Sequence, residues 1–376
     1  MLYEFNSHNQ AKLDLRKLTE HHQINSRYLN ITNIIVFGIL LRLFIFTVSL
    51  FIPFPFGPDA PISPLHYQTG VDLGFYLTEN YSIKENFFTD FNTFTNTITQ
   101  FFISLFNLDF SSRYPGPVYP IIIWITSYSI NNTLFLSLIV FLTEIASFLV
   151  WCKIMKNKIN GYTGLFFAFM PHTIWFGILV SSDIFFYFFT SLFFYFWSKG
   201  NLLYEKQLYT IGILLLTTRP AGLAVILARK IFLLKNYKLY QIQKYIILYI
   251  FIFVLGSIYY SPYFLVEKEI LNDQTSLNFT VILEKTFSMF GFQKSRTDLL
   301  LAYIIRYSYG TVFFIGFIGL LFKKNKFKIP TIITIVSVVL FLYPTWRYLL
   351  PIIPILYFSG CETIVNIRNF KRKTNV

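Results

Sequence analysis

Long apolar runs separated by short polar segments set the pattern of this chain from about residue 34 onward, after a largely polar stretch of 33 residues. The first run, Ile34 to Ile52, approaches the roughly 20 residues a helix needs to cross a bilayer. Pro53, Pro55 and Pro58 end it. Runs of the same kind follow at about 134–152, 162–180, 183–198, 245–262, 299–322, 329–343 and 349–366. Residues 208–228 are apolar as well, but Arg219-Pro220 divides them. At 1.5 Å rise per residue the first arm covers about 15 Å, half a bilayer core, so a kinked or re-entrant hairpin is expected. Phe94–Leu108 and Val118–Ile130 are apolar but short, and read as helices lying at the interface. The pattern predicts an all-α polytopic membrane protein: about ten transmembrane helices, the hairpin counted as two, with interfacial helices in a long first outer loop.

Composition supports this reading. The 376 residues are 55% hydrophobic and 13% charged, half the charged fraction of about a quarter expected of a soluble domain. The net charge of +14 suggests nucleic acid until its distribution is examined. The bases fall in short runs between apolar segments, as orientation signals do, and no nucleic-acid partner is expected. With both termini inside, 22 Lys and Arg face the cytoplasm, in 1–33, 153–159, 199–207, 229–244, 323–328 and 367–376. The outer loops 57–133 and 263–298 hold two and four. The expected organisation is a cytoplasmic tail 1–33, a transmembrane domain 34–366 and a second cytoplasmic tail 367–376. No cleavable signal peptide is evident. Cys152 and Cys361 suggest neither a disulfide framework nor a metal site, the five His show no ligand spacing, and neither metal nor cofactor is expected.

The first outer loop carries six acids against two bases. Its Asp72, between a Pro-rich entry and an apolar, aromatic run, reads either as a solvated loop acid or, held where membrane meets water, as a general base whose basicity partial desolvation would raise. The topology brings further features to the same side: Arg113 to Pro120 in that loop, Ser181-Ser182-Asp183 at an outer turn, and Tyr343 to Pro351 before the last span. Arg219 at the hairpin tip points there from within the membrane. Arginines converging with acids on one face of an apolar bundle suit an anionic lipid substrate, since guanidinium binds phosphate bidentately. Each residue also has a plainer reading. Asp183 would cap the helix from Ile184 onward, Arg347 would anchor at the interface beside Trp346 and Tyr348, and Arg219 would pair within the bundle with Glu144. Arg42, inside the first span, suits structure and function equally.

Asp72 followed by Tyr76, Arg113 to Tyr119, Pro171 with Ser182-Asp183, and Arg347-Tyr348-Leu349-Leu350-Pro351 occur in this order across most of the chain. Together they resemble the motifs of GT-C membrane glycosyltransferases, in the group of dolichyl-phosphate-mannose protein mannosyltransferases and lipid A aminoarabinose transferases. Thr218 to Gly222 is similar to GPI-type mannosyltransferases. Leu73 departs from the pattern, standing where many relatives have a second acid. The resemblance implies an inverting transfer of sugar from a polyprenyl-phosphate donor to an acceptor hydroxyl on the outer face. Asp72 would be the base; Tyr76, Arg113, Tyr119, Asp183, Arg219, Arg347 and Tyr348 would bind substrate, with Arg347 and then Arg219 on the leaving phosphate. The acceptor would be a glycolipid, polysaccharide or protein, chosen by the outer loops or an accessory protein. The bacterial cytoplasmic membrane is the expected location, or the endoplasmic reticulum if the source is eukaryotic. The alternative is a transporter or flippase of lipid-linked sugars, which would carry an internal repeat with broken helices at matching positions.

Overall fold

The computed structural model describes residues 31–52, 118, 122, 132–159, 161–179, 181–200, 204–218, 222, 225–226, 228–229, 286–287, 289–290, 292, 300–322, 327–341 and 346–374. Among these the regular structure is entirely helical. The elements are α1 (Ile31–Ser49), α2 (Asn132–Ile154), α3 (Gly161–Ala168), α4 (Pro171–Ile178), α5 (Ser182–Lys199), α6 (Glu205–Thr218), α7 (Leu300–Phe322), α8 (Lys328–Phe341), a 3₁₀ helix (Trp346–Ile352) and α9 (Ile353–Thr374). Among the described residues four stretches are long and apolar enough to cross a membrane: Ile31–Ser49, Leu134–Ile154, Ile304–Phe322 and Leu349–Asn369. Val118 and Ile122, in the second short apolar segment between α1 and α2, are helical.

The apolar run 162–180, expected as one span, is two short helices. Pro171 has no N–H to return to Phe167, and its ring disfavours the α conformation at Met170, which is non-helical at φ −59°, ψ 107°. The run reads as continuous because Phe169 and Met170 are as apolar as their neighbours. The last span also differs from expectation. It begins as a 3₁₀ helix containing Pro351 and continues helical to Thr374, well into the basic stretch expected as a tail. Pro354 lies in the first turn of α9, where a missing N–H costs nothing. Lys and Arg are good helix formers, so the helix has no reason to stop at the membrane edge.

Contacts fix the direction of each element. α1 runs antiparallel to α2, with Phe46 stacked on Phe141 at 4.3 Å. α5 runs parallel to α2, with Phe194 against Trp151 at 5.8 Å. α6 leads back from the end of α5, and Phe196 meets Tyr204 across the turn at 5.3 Å. Beyond α6 the chain returns along it: Ile226 lies beside Gly212, and Arg229 pairs with Glu205. This is the folding-back expected of a hairpin, whose tip at Arg219-Pro220 lies outside the described residues. α3 is antiparallel to α9, joined by a hydrogen bond from the Tyr357 hydroxyl to the Thr163 carbonyl at 2.9 Å and by the Lys158–Glu362 pair at 3.0 Å.

α7 and α9 are parallel and approach backbone to backbone. A Cβ at Gly316 would overlap the Leu356 carbonyl, and one at Gly360 the Val312 carbonyl. Small residues permit such contact between apolar helices, where packing rather than water expulsion drives association. The core that results is largely aromatic, with Trp151, Phe167, Phe176, Tyr187, Phe193 and Phe194 almost fully buried. α4 sits at its centre and buries nearly every side chain from Pro171 to Ile178.

These directions give the bundle two unlike ends. One carries Lys153, Lys156, Lys158, Lys199, Lys206, Arg229 and Lys328. The other carries the end of α1, the starts of α2, α5, α7 and α9, and the 3₁₀ helix. α6 approaches that second end, covering about 21 Å over its 14 residues.

Candidate functional site

The second end is where the sequence features meet, as far as the described residues reach. The segment expected as the first outer loop connects the end of α1 to the start of α2. Its candidates Asp72, Tyr76, Arg113 and Tyr119 lie outside the described residues. So does Arg219, which follows the last residue of α6. Arg347 and Tyr348 stand on the 3₁₀ helix that packs against α5, α8 and α9; their backbone is described and their side chains are not.

Asp183 is the one site candidate whose side chain is described. Only 2% of it is exposed, at the start of α5. It does not cap that helix. Ser181 holds the cap position in extended geometry, and Asp183 lies in the first turn, where a carboxylate faces the positive end of the helix dipole. The Ser181 hydroxyl is not spent on a backbone N–H either. It is aimed at Asp183 Oδ2, 3.5 Å away, the outer limit of a hydrogen bond. A buried carboxylate at the opening of an apolar bundle can orient a hydroxyl or accept its proton.

Arg306 belongs to the same half of the molecule. It is 8% exposed in the second turn of α7, one turn before Tyr309. The Tyr309 ring meets His172 edge-on at 5.6 Å and its hydroxyl donates to the Phe166 carbonyl at 2.9 Å. In the sequence Arg306 counts only as one more charge within a span. Its signal was its position: six residues into an apolar helix, on the face shared with Tyr309 and Phe313 at helical spacing.

Arg42 is placed deeper, and its role is settled by its partners. Its Nε donates to both oxygens of Glu144, at 2.8 and 2.9 Å, with each side chain 1% exposed. Nη1 donates to the Ala168 carbonyl at 2.6 Å and to Gly38 at 3.2 Å, and Nη2 to the Thr173 hydroxyl at 3.3 Å. The Phe148 ring closes one face at 4.0 Å. Ala168 is the last residue of α3, and its carbonyl would bond to the next turn if Pro171 had not broken the helix. Arg42 therefore supplies the donor that the break removes. Glu144 takes Arg42 as its partner; Arg219, the partner considered from the sequence, lies outside the described residues. Gly177 leaves room for the pair, since a Cβ there would stand 3.1 Å from the Glu144 side chain.

Among the described residues no three His, Cys, Asp or Glu side chains gather to hold a metal ion. No family model, curated protein or solved structure matches the chain.

Proposed function

We propose that the chain is an integral-membrane glycosyltransferase of GT-C type. It moves a sugar, with inversion, from a polyprenyl-phosphate donor to an acceptor hydroxyl at the outer face, and it spans the membrane about ten times with both termini inside. The observation that carries the reading is the convergence of element ends. The helix ends that flank the motif-bearing segment, Asp183, the end of α6 that precedes Arg219, and the 3₁₀ helix with Arg347 all belong to the end of the bundle opposite the lysines. In this reading Asp72 takes the acceptor proton as the hydroxyl attacks the anomeric carbon. Arginine then neutralises the phosphate that leaves, with Arg347 first, Arg219 second and the buried Arg306 as a further cation of the same half. Fixed cations in a water-poor site are commonly the largest catalytic term. Tyr76, Arg113, Tyr119 and Tyr348 line the substrates, and Asp183 orients a hydroxyl.

A transporter of lipid-linked sugars gains one point from the break between α3 and α4, because transporters place substrate or ions at broken helices. Here the guanidinium of Arg42 already occupies the break and satisfies the exposed carbonyl. A site filled by the protein's own cation does not exchange cargo, and the enzyme reading is preferred.

The test is transfer of labelled sugar from polyprenyl phosphate in membranes at matched protein level. Asp72→Asn removes the proton acceptor while keeping size, and turnover should fall by about 10²–10⁴. Asp59→Asn and Asp90→Asn, in the same loop, should be nearly silent. Arg347→Lys keeps charge but loses bidentate geometry, so activity should drop at normal expression. Wild-type activity of Asp72→Asn removes that residue from the mechanism, and wild-type activity of Arg347→Lys leaves the interfacial anchor standing.

A further inference from the structure

The basic end holds an arrangement that sugar transfer does not use. Lys153 closes the last turn of α2 and Lys199 the last turn of α5. Their ammonium groups both lie over the ring of Tyr195, at 5.1 and 5.4 Å from its centre. Both lysines are exposed and the tyrosine is half-buried. Four acids occur among the described residues. Glu144 belongs to Arg42, Glu205 to Arg229 and Glu362 to Lys158, and Asp183 is at the other end. Two like charges are thus drawn together by one ring with no carboxylate of the described residues between them.

A lysine in the last turn of a helix is favoured by the helix dipole. That explains each lysine alone. It does not explain why α2 directs Lys153 onto the ring of Tyr195 on α5, where Lys199, one turn further along α5, already lies. The dipole of a helix is answered at its own carbonyls, whereas one ring that attracts two ammonium groups leaves their mutual repulsion unanswered. An anion between them would relieve their repulsion and accept a hydrogen bond from the Tyr195 hydroxyl.

We propose that Lys153, Tyr195 and Lys199 form a clamp for the phosphate of an anionic phospholipid headgroup. The surface leading to the clamp argues for a lipid rather than a soluble anion. Lys153 is one residue from the end of the membrane-length stretch Leu134–Ile154. Leu138, Leu142 and Leu149, all exposed, stand on the helix face that continues to Lys153 at spacings of four and seven residues. An acyl chain lying along this stripe delivers its headgroup to the clamp. Basic pockets between helices at the cytoplasmic side are where anionic headgroups bind. The inference concerns the end opposite the proposed active site and stands without the glycosyltransferase reading.

The full chain, purified in detergent, can be titrated with dioleoyl phosphatidylglycerol or dioleoyl phosphatidylcholine, and bound lipid counted by native mass spectrometry. The glycerol lipid should be retained and the choline lipid should not. Lys153→Gln with Lys199→Gln should weaken retention by about tenfold or more. Lys156→Gln with Lys206→Gln removes the same charge from the same end away from the ring, and should change it by less than about threefold. Tyr195→Phe should give an intermediate loss. Equal losses in the two double variants would reduce the clamp to diffuse charge and overturn the proposal, as would equal retention of the choline lipid. Displacement of phosphatidylglycerol by inorganic phosphate at equal concentration would assign the site to a soluble anion and overturn the lipid.

Discussion

At the scale of single residues, Arg42 and Glu144 form the contact with most at stake. Each is a charge in a place where charge is expensive, and each is tolerated because of the other. Glu144→Ala leaves a buried guanidinium without its carboxylate and should cost about 3–5 kcal/mol. Replacing both residues by Met removes both charges and should recover much of that loss. Recovery will be incomplete because the Ala168 carbonyl loses its donor as well, at about 1–3 kcal/mol. The unfolding midpoint of the purified protein in detergent reads these differences. A Glu144→Ala variant as stable as wild type would show that the pair holds nothing together. The sequence revealed Arg42 as costly but not what offsets the cost, since its partners lie 102, 126 and 131 residues away. Hydropathy reports that a charge is out of place and says nothing about where its counterpart folds.

At the scale of elements, apolar runs located most helices within a few residues, because length and burial in hydrocarbon are what such runs measure. The misreadings share a cause. At Pro171 and Pro351 the chain changes its backbone conformation while staying apolar, so a scale that counts side chains passes over both. The cap of α5 was misplaced by two residues because Ser181 and Asp183 are equally good capping types. Packing between elements was not legible at all. The glycines of α7 and α9 acquire meaning only when the helices are set side by side. Gly316→Ala should force the two backbones apart and cost about 1–3 kcal/mol as an overpacked contact. Gly212→Ala meets its nearest neighbour, Ile226, at 3.5 Å and should be close to neutral. Thermal unfolding of the two variants side by side separates them, and a neutral Gly316→Ala would show that α7 and α9 have slack.

At the scale of the whole molecule, the asymmetry of charge was the most legible property and the geometry of the site the least. Counting bases sorted the loops into two sides, and the contacts place Lys153, Lys199 and Lys328 at one end of the bundle. The residues on which catalysis would turn, Asp72 above all, lie outside the described residues, so the motif remains the evidence for them. Orientation is open to direct test. Cysteine placed at Ser82 or Asp273 should react with a membrane-impermeant thiol reagent applied to intact cells, and cysteine at Asn325 should not. The native thiols do not confuse the result: Cys152 is buried, and Cys361 adjoins Glu362 at the basic end. Protection of Ser82→Cys would reverse the orientation and take the outward active site with it.

The salt bridge at the centre of the bundle also has a history within each molecule's synthesis. Arg42 is made 102 residues before Glu144 and 126 before Ala168. Ribosomes add roughly 5–20 residues per second, so α1 waits about 5–20 s for its carboxylate. Throughout that interval it must enter the lipid, or stand beside the insertion machinery, with an uncompensated charge worth about 2.5–3.5 kcal/mol against insertion. The finished protein shows no trace of this delay, yet until α2 arrives the charge of Arg42 has no Glu144 to answer it.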